Sequence, residues 1–348
     1  MVDIPLSDYR KMAIEEFDTS KLLKHAAQQA AERGYDKFPI VDVDSHHYEL
    51  ESLGEILEYM DDPVLQQLAM SATQSGGSKG TGVLPGGVGY QDVGGRVLRY
   101  STRKLEKVSA GEPRIRSMLY LPFNDPAASF RMVQEFAGKP GVVGFMVTSA
   151  RYRPVHHNDY MKIYALLEEH NLPLAFHAAY NWNDQSMAMM NRFISVHALG
   201  FVFYNMVHLT NWIINGLPER FPKLKVIWIE SGLAWLPFMI QRLDNEYMMR
   251  SSEAPALKKL PGDYIRDMYF TSQPMELTDM GALETTFRMI KAETQLLYSS
   301  DYPHWDFDLP STIYDLPFLS ETAKRNILGG NAARLFGLQL GEKLAKVA

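Results

Sequence analysis

From residue 115 onward, short apolar runs alternate with amphipathic helical stretches, and this alternation limits the possible folds more than any other feature. "IRSMLYLPF" reads as a strand and "DPAASFRMVQEFAGK" as a helix. "GVVGFMVTS" and "LPLAFHAA" are strands on either side of the helical "NDYMKIYALLEEHN". A long helical stretch over 186–217 precedes the strand "LKVIWIES". The strands "MYFTS" and "LLYSSDYPH" then lie among three helical segments, "LAWLPFMIQRLDNEYMMR", "LETTFRMIKAE" and "SETAKRNILGGNAARLF". Such alternation implies a parallel sheet covered by crossover helices. With "PIVDVD" (39–44) as the first strand and one more within 92–101, about eight strands fit. The expected fold is α/β, a closed (β/α)8 TIM-like barrel in preference to an open sheet.

A length of 348 residues suits one such domain over 39–348. Residues 1–38 read as an arm of two short helices, the second opening at Thr19-Ser20 and stopped by Gly34. Such an arm suits packing or subunit contact. Residues 75–95 carry nine glycines, but Lys79 falls outside the G-x-x-x-x-G-K-[S/T] frame of a phosphate loop. The segment 75–100 is therefore read as a mobile insertion, an active-site lid. A net charge of −6 without a basic run argues against nucleic acid as a partner. No apolar run reaches the roughly 18–20 residues of a membrane span, and the acidic N-terminus lacks the pattern of a secretion signal. The absence of cysteine removes disulfides, thiolate ligands and a cysteine nucleophile, and fits a reducing cytoplasm.

The strand ends carry the chemistry. In parallel α/β folds, catalytic groups gather at the C-terminal ends of the strands. Here the first strand ends in Asp44 and His46, "LPLAFHAA" in His177, "KVIWIESG" in Glu230, and "LLYSSDYPH" in Asp301 with His304 three residues on. Singly, each has an ordinary structural reading: His177 as a rim histidine, Asp301 as a turn cap, Glu230 as a salt-bridge partner. Buried ionised groups cost several kcal/mol each unless paired, and their joint placement at four strand ends points to a cation among them. His197 and His208 fall in a helical stretch and read as structural; His156 and His157 read as solvated surface.

These motifs, with "GLPERFPKLKVIWIESG", "LPFMIQRLDN", "SSDYPHWD" and "ILGGNAARLFG", resemble the amidohydrolase superfamily over about residues 39–340. The likeness is to its amidohydrolase-related group, typified by aminocarboxymuconate-semialdehyde decarboxylase. The resemblance implies a metal at the barrel mouth, with Asp44, His46, His177 and Asp301 as ligands. Two departures stand out: Glu230 replaces the family's usual sixth-strand histidine, and "GVVGFMVTS" has no lysine to become a carboxylated bridge. Glu49, Glu230 and His304 add further donors. The set of seven exceeds the four or so that one zinc takes and suits two metals.

The leading expectation is accordingly a dinuclear Fe or Mn/Fe centre that activates O2 to hydroxylate a small organic substrate. It resembles the non-haem monooxygenase branch to which 2-aminoisobutyrate hydroxylase belongs. A ferredoxin or reductase would supply electrons, since no flavin or Fe–S motif is present. The alternative is a single Zn or Mn that supports hydrolysis or non-oxidative decarboxylation of a small aromatic acid. A further alternative is a metal-bearing support subunit with a paralogous catalytic partner, and a homo- or hetero-oligomer is expected. Asp301, Glu230 and His304 are the candidate acid–base groups. Arg151, Tyr152, Tyr180 and Trp305 are the candidate substrate contacts, Arg151 as a carboxylate clamp.

Overall fold

Six of the apolar runs form strands: β1 (Ser117–Tyr120), β2 (Val142–Thr148), β3 (Leu174–His177), β4 (Val226–Ile229), β5 (Tyr269–Thr271) and β6 (Leu296–Leu297). They pair in sequence order, every neighbour parallel. The computed structural model describes residues 19–46, 62–64, 66, 67, 114–148, 153–179, 185–302, 304 and 306–340. Parallel neighbours need crossover connections, and the helices that supply them include α2 (Pro126–Phe136), α3 (Met161–Glu169), α4 (Phe193–Ile214), α5 (Trp235–Arg250) and α6 (Met280–Met289). Two begin on an aspartate cap: the side chains of Asp125 and Asp279 each accept from a backbone N–H three residues on, at 2.9 Å.

Period-two alternation divides the sheet's side chains between two layers. Leu174, Phe176, Val226 and Trp228 face the helices within the larger core. Phe176 and Trp228 stack there at 4.8 Å between centroids, an arrangement worth ~0.5–1.5 kcal/mol beyond its buried area. Ala175, Ile227, Ile229 and Leu297 face the other way, into a second cluster with Val41, Val43, Met118, Met146 and Tyr269. That cluster draws on all six strands and on the 39–46 segment, so it is the inner face of a curved sheet.

The 39–46 segment closes one side. Val43 N–H donates to Tyr298 O (3.1 Å), Asp301 N–H to Asp44 O (2.7 Å) and His46 N–H to Tyr302 O (2.7 Å), with a parallel bridge between Ser45 and Tyr302. It runs as an extended seventh rung beside the prolongation of β6 rather than as a regular strand. The strand expected within 92–101, like the insertion 75–100, lies outside the described residues.

The closing helix has three parts: α7 (Glu321–Arg325), a π turn over Asn326–Gly330, and α8 (Asn331–Phe336). Carbonyls of the turn bond away from the helix. Ile327 O accepts from Tyr298 N–H (3.1 Å) and Leu328 O from Val41 N–H (2.8 Å), which ties the first and last rungs from below. Gly329 is required at this contact, because a Cβ there would lie 2.4 Å from the carbonyl oxygen of Pro39. At the N-terminus, α1 (Thr19–Arg33) ends at Gly34, whose φ of 63° is left-handed. Arg33 then holds Asp315 with two hydrogen bonds (2.8 and 2.6 Å), fastening the described part of the arm to the barrel.

Candidate metal centre

At the C-terminal rim, β3 delivers His177, which follows Ala175 on the inner face. Its Nδ1–H donates to the backbone carbonyl of Ala178 at 2.7 Å. A carbonyl only accepts, so a proton is fixed on Nδ1 and Nε2 is the nitrogen turned into the cluster. That nitrogen faces Glu230 Oε2 at 3.2 Å and Asp44 Oδ1 at 3.5 Å. His46 Nε2 likewise approaches Asp301 Oδ1 at 2.8 Å and Asp44 Oδ1 at 3.3 Å. Strict alternation would turn Glu230 towards the helices beside Trp228. A left-handed backbone (φ 56°) at Glu230 instead aims it at His177, and the Thr271 hydroxyl accepts its N–H at 3.0 Å. Asp301 is also left-handed, with φ 58°. Non-glycine residues adopt this region at a cost of ~1–2 kcal/mol and keep it where the surroundings over-determine it.

The donor atoms fit a cation. Asp44 Oδ2 and Asp301 Oδ2 are buried without a hydrogen-bond partner, and the Nε2 atoms of His46 and His177 face only carboxylates. They come from three distant segments of chain, yet nitrogen and carboxylate ligands from Asp44, His46, His177 and Glu230 all lie within 4.8 Å of one another. A second group of the same kind joins His46 to Asp301 and His304, with His304 Nδ1 at 2.7 Å from Asp301 Oδ1. Imidazole nitrogens and carboxylate oxygens converging on one point suit oxygen-and-imidazole coordination by Mn, Fe or Zn.

Electrostatics tell the same story. Burial opposes charging His46, but hydrogen bonds and charge from Asp301 and Asp44 push its ring up to about 11. Burial also opposes ionising Asp44, yet His177 and His46 together hold it well below the usual carboxylate range. Glu230 is pushed well above its ordinary value, by burial first and then by the charges of Asp301 and Asp44. Three carboxylates in one buried volume satisfy each other only around positive charge.

A family model described as Amidohydrolase matches residues 43–338. The chain belongs to the amidohydrolase family. The gamma-resorcylate decarboxylase of a Polaromonas species is 21% identical over 243 residues, which cover 67% of this chain and 73% of that protein. The 2-amino-3-carboxymuconate-6-semialdehyde decarboxylase of Dictyostelium discoideum is 29% identical over 133 residues, 37% of this chain and 36% of that one. Among solved structures, the 5-carboxyvanillate decarboxylase of Sphingomonas paucimobilis aligns with a TM-score of 0.54 at 23% identity, covering 66% of this chain and 69% of that chain. A Polaromonas dihydroxybenzoic acid decarboxylase, solved with manganese and the inhibitor 2-nitroresorcinol, aligns at 0.55 and 24%, covering 68% and 73%. These structural likenesses confirm the barrel fold. The names weigh towards the decarboxylase alternative and away from the dinuclear hydroxylase.

In this amidohydrolase, six of the sequence-predicted donors meet at the rim: Asp44, His46, His177, Glu230, Asp301 and His304. Glu49, Arg151, Tyr152, Tyr180 and Trp305 lie outside the described residues. His208 is buried with its ring 6.0 Å from that of Phe176. His197, read from the sequence as structural, approaches Asp306, which sequence reasoning did not name, at 4.0 Å. Burial lowers the His197 pKa, while burial and the Asp301 charge raise that of Asp306. The acid in "HWDFD", just past the last donor, was the available signal for it.

Proposed function

We propose that this amidohydrolase is a metal-dependent lyase that removes the carboxyl group of a small aromatic acid as CO2, without oxidation. The observation that carries the reading is His46 Nε2, which faces both donor groups. An imidazole nitrogen has one lone pair and serves one ion, so the cluster is best read around a single metal held by Asp44, His46, His177 and a second carboxylate. When bound, a divalent cation polarises the acid and offsets its charge. Decarboxylation breaks the ring–carboxyl bond, leaves the electron pair on the ring carbon and requires one proton in exchange. Burial, then the charges of Asp301 and Asp44, push the Glu230 carboxyl well above its ordinary value, which suits it to supply that proton. His304 fixes one Asp301 oxygen at 2.7 Å and so orients the other. The decarboxylase relatives, one of them solved with manganese, support this choice of reaction and ion.

The test is to incubate Mn2+-loaded protein with 2,6-dihydroxybenzoate and with 5-carboxyvanillate. One CO2 per acid consumed, without O2 uptake, is expected. Neither acid reacting at full metal loading would overturn the reading. A second reading, the dinuclear Fe or Mn/Fe hydroxylase served by a ferredoxin or reductase, draws on the second donor group of His46, Asp301 and His304. It requires close to two metals per chain and O2 consumption, so metal analysis and an oxygen electrode separate the two.

A further inference from the structure

Asp42 stands two residues before the first donor and has no part in the cluster. Its carboxylate is nonetheless fully engaged. Oδ1 accepts from the N–H of Ser300 (2.8 Å) and from the N–H of Asp44 (3.2 Å), and Oδ2 accepts from the Ser300 hydroxyl (2.5 Å). Ser300 Oγ in turn accepts from the N–H of Tyr302 (3.0 Å). Two local turns therefore face each other. An aspartate side chain bends 42–44 through the N–H two residues on, and a serine side chain bends 300–302 in the same way. The Asp42–Ser300 contact joins them. One turn presents Asp44 and the other presents Asp301.

We infer that Asp42 is a positioning residue: by clipping its own segment to Ser300 it sets Asp44 and His46 against Asp301 and His304. The inference rests on the metal centre proposed above. The backbone ladder between the two segments is thin. It consists of Val43 to Tyr298, Asp301 to Asp44 and His46 to Tyr302, and the left-handed turn at Asp301 (φ 58°) interrupts it. At that interruption the N–H of Ser300 finds a carboxylate in place of a main-chain carbonyl. Asp42 is exposed as a residue, although burial pushes its carboxyl up to about 6. Water can therefore replace part of its hydrogen bonding, and Asp42→Ala is expected to fold, as far-UV circular dichroism checks. Water cannot hold two backbones at a fixed spacing. Ligand atoms held by supporting hydrogen bonds typically lose ~10–100-fold in metal affinity when that support is removed.

The experiment compares wild type, Asp42→Ala and Asp42→Asn by Mn2+ titration, by the electron paramagnetic resonance line shape of bound Mn2+, and by hydrogen exchange of the 298–304 peptide in metal-free protein. Asp42→Ala is expected to weaken Mn2+ by ~10–100-fold, to alter the line shape and to speed exchange of the peptide. Asp42→Asn keeps an acceptor for both N–H groups and is expected to restore most of each. Folded Asp42→Ala with wild-type affinity, line shape and exchange would overturn the inference. Wild type that binds no Mn2+ would overturn the metal reading instead, and the exchange comparison would still decide whether Asp42 clips the two segments.

Discussion

At His177 the Nδ1–H is committed to the Ala178 carbonyl at 2.7 Å, and the other nitrogen looks onto two carboxylates. His46 differs in kind: Asp301 and Asp44 hold its ring up to about 11. Below that value the metal-free ring is an imidazolium, whereas a ligand must be neutral. Metal uptake near neutral pH must therefore expel a proton, and affinity should rise with pH. Calorimetric titration of Mn2+ in buffers of different ionisation enthalpy is expected to show about one proton released per ion. Heats that are the same in every buffer would contradict the assignment of His46 to the cluster.

Elements differ in how plainly the sequence announces them. The short apolar runs of β2, β3 and β4 are bounded by turn residues, and β3 and β4 are buried along their whole length, so their pattern alone marks them. The 39–44 run has the same composition but forms only an extended rung, because the Asp42 side chain takes N–H groups that a regular ladder would use. The closing segment reads as one helix. Its π turn escapes a search for 3.6-residue periodicity, since the insertion changes which carbonyls are free rather than which residues are apolar. The donors were legible for a simpler reason: acids and imidazoles stand at strand ends, where a barrel has its mouth. The left-handed turn that redirects Glu230 left no trace in residue type. Gly329 offers a test at this scale. A methyl group there meets the Pro39 carbonyl, so Gly329→Ala is expected to cost ~1–3 kcal/mol as overpacking, read as a lower urea midpoint with far-UV circular dichroism retained.

For the molecule as a whole, a cation that binds only the folded chain adds to its stability by mass action. Chelation is expected to lower the thermal midpoint, and Mn2+ at 100 times its Kd to restore ~2.7 kcal/mol. Glu230 has a consequence of its own. Its backbone occupies a region that asparagine tolerates far better, and its carboxyl is buried among other acids. Without metal, Glu230→Asn should therefore melt higher than wild type, while CO2 release falls at least ~tenfold because an amide has no acidic proton to give. Selection for heat resistance alone would drift towards that substitution, and screens of this protein scored by solubility or melting point would enrich for inert variants.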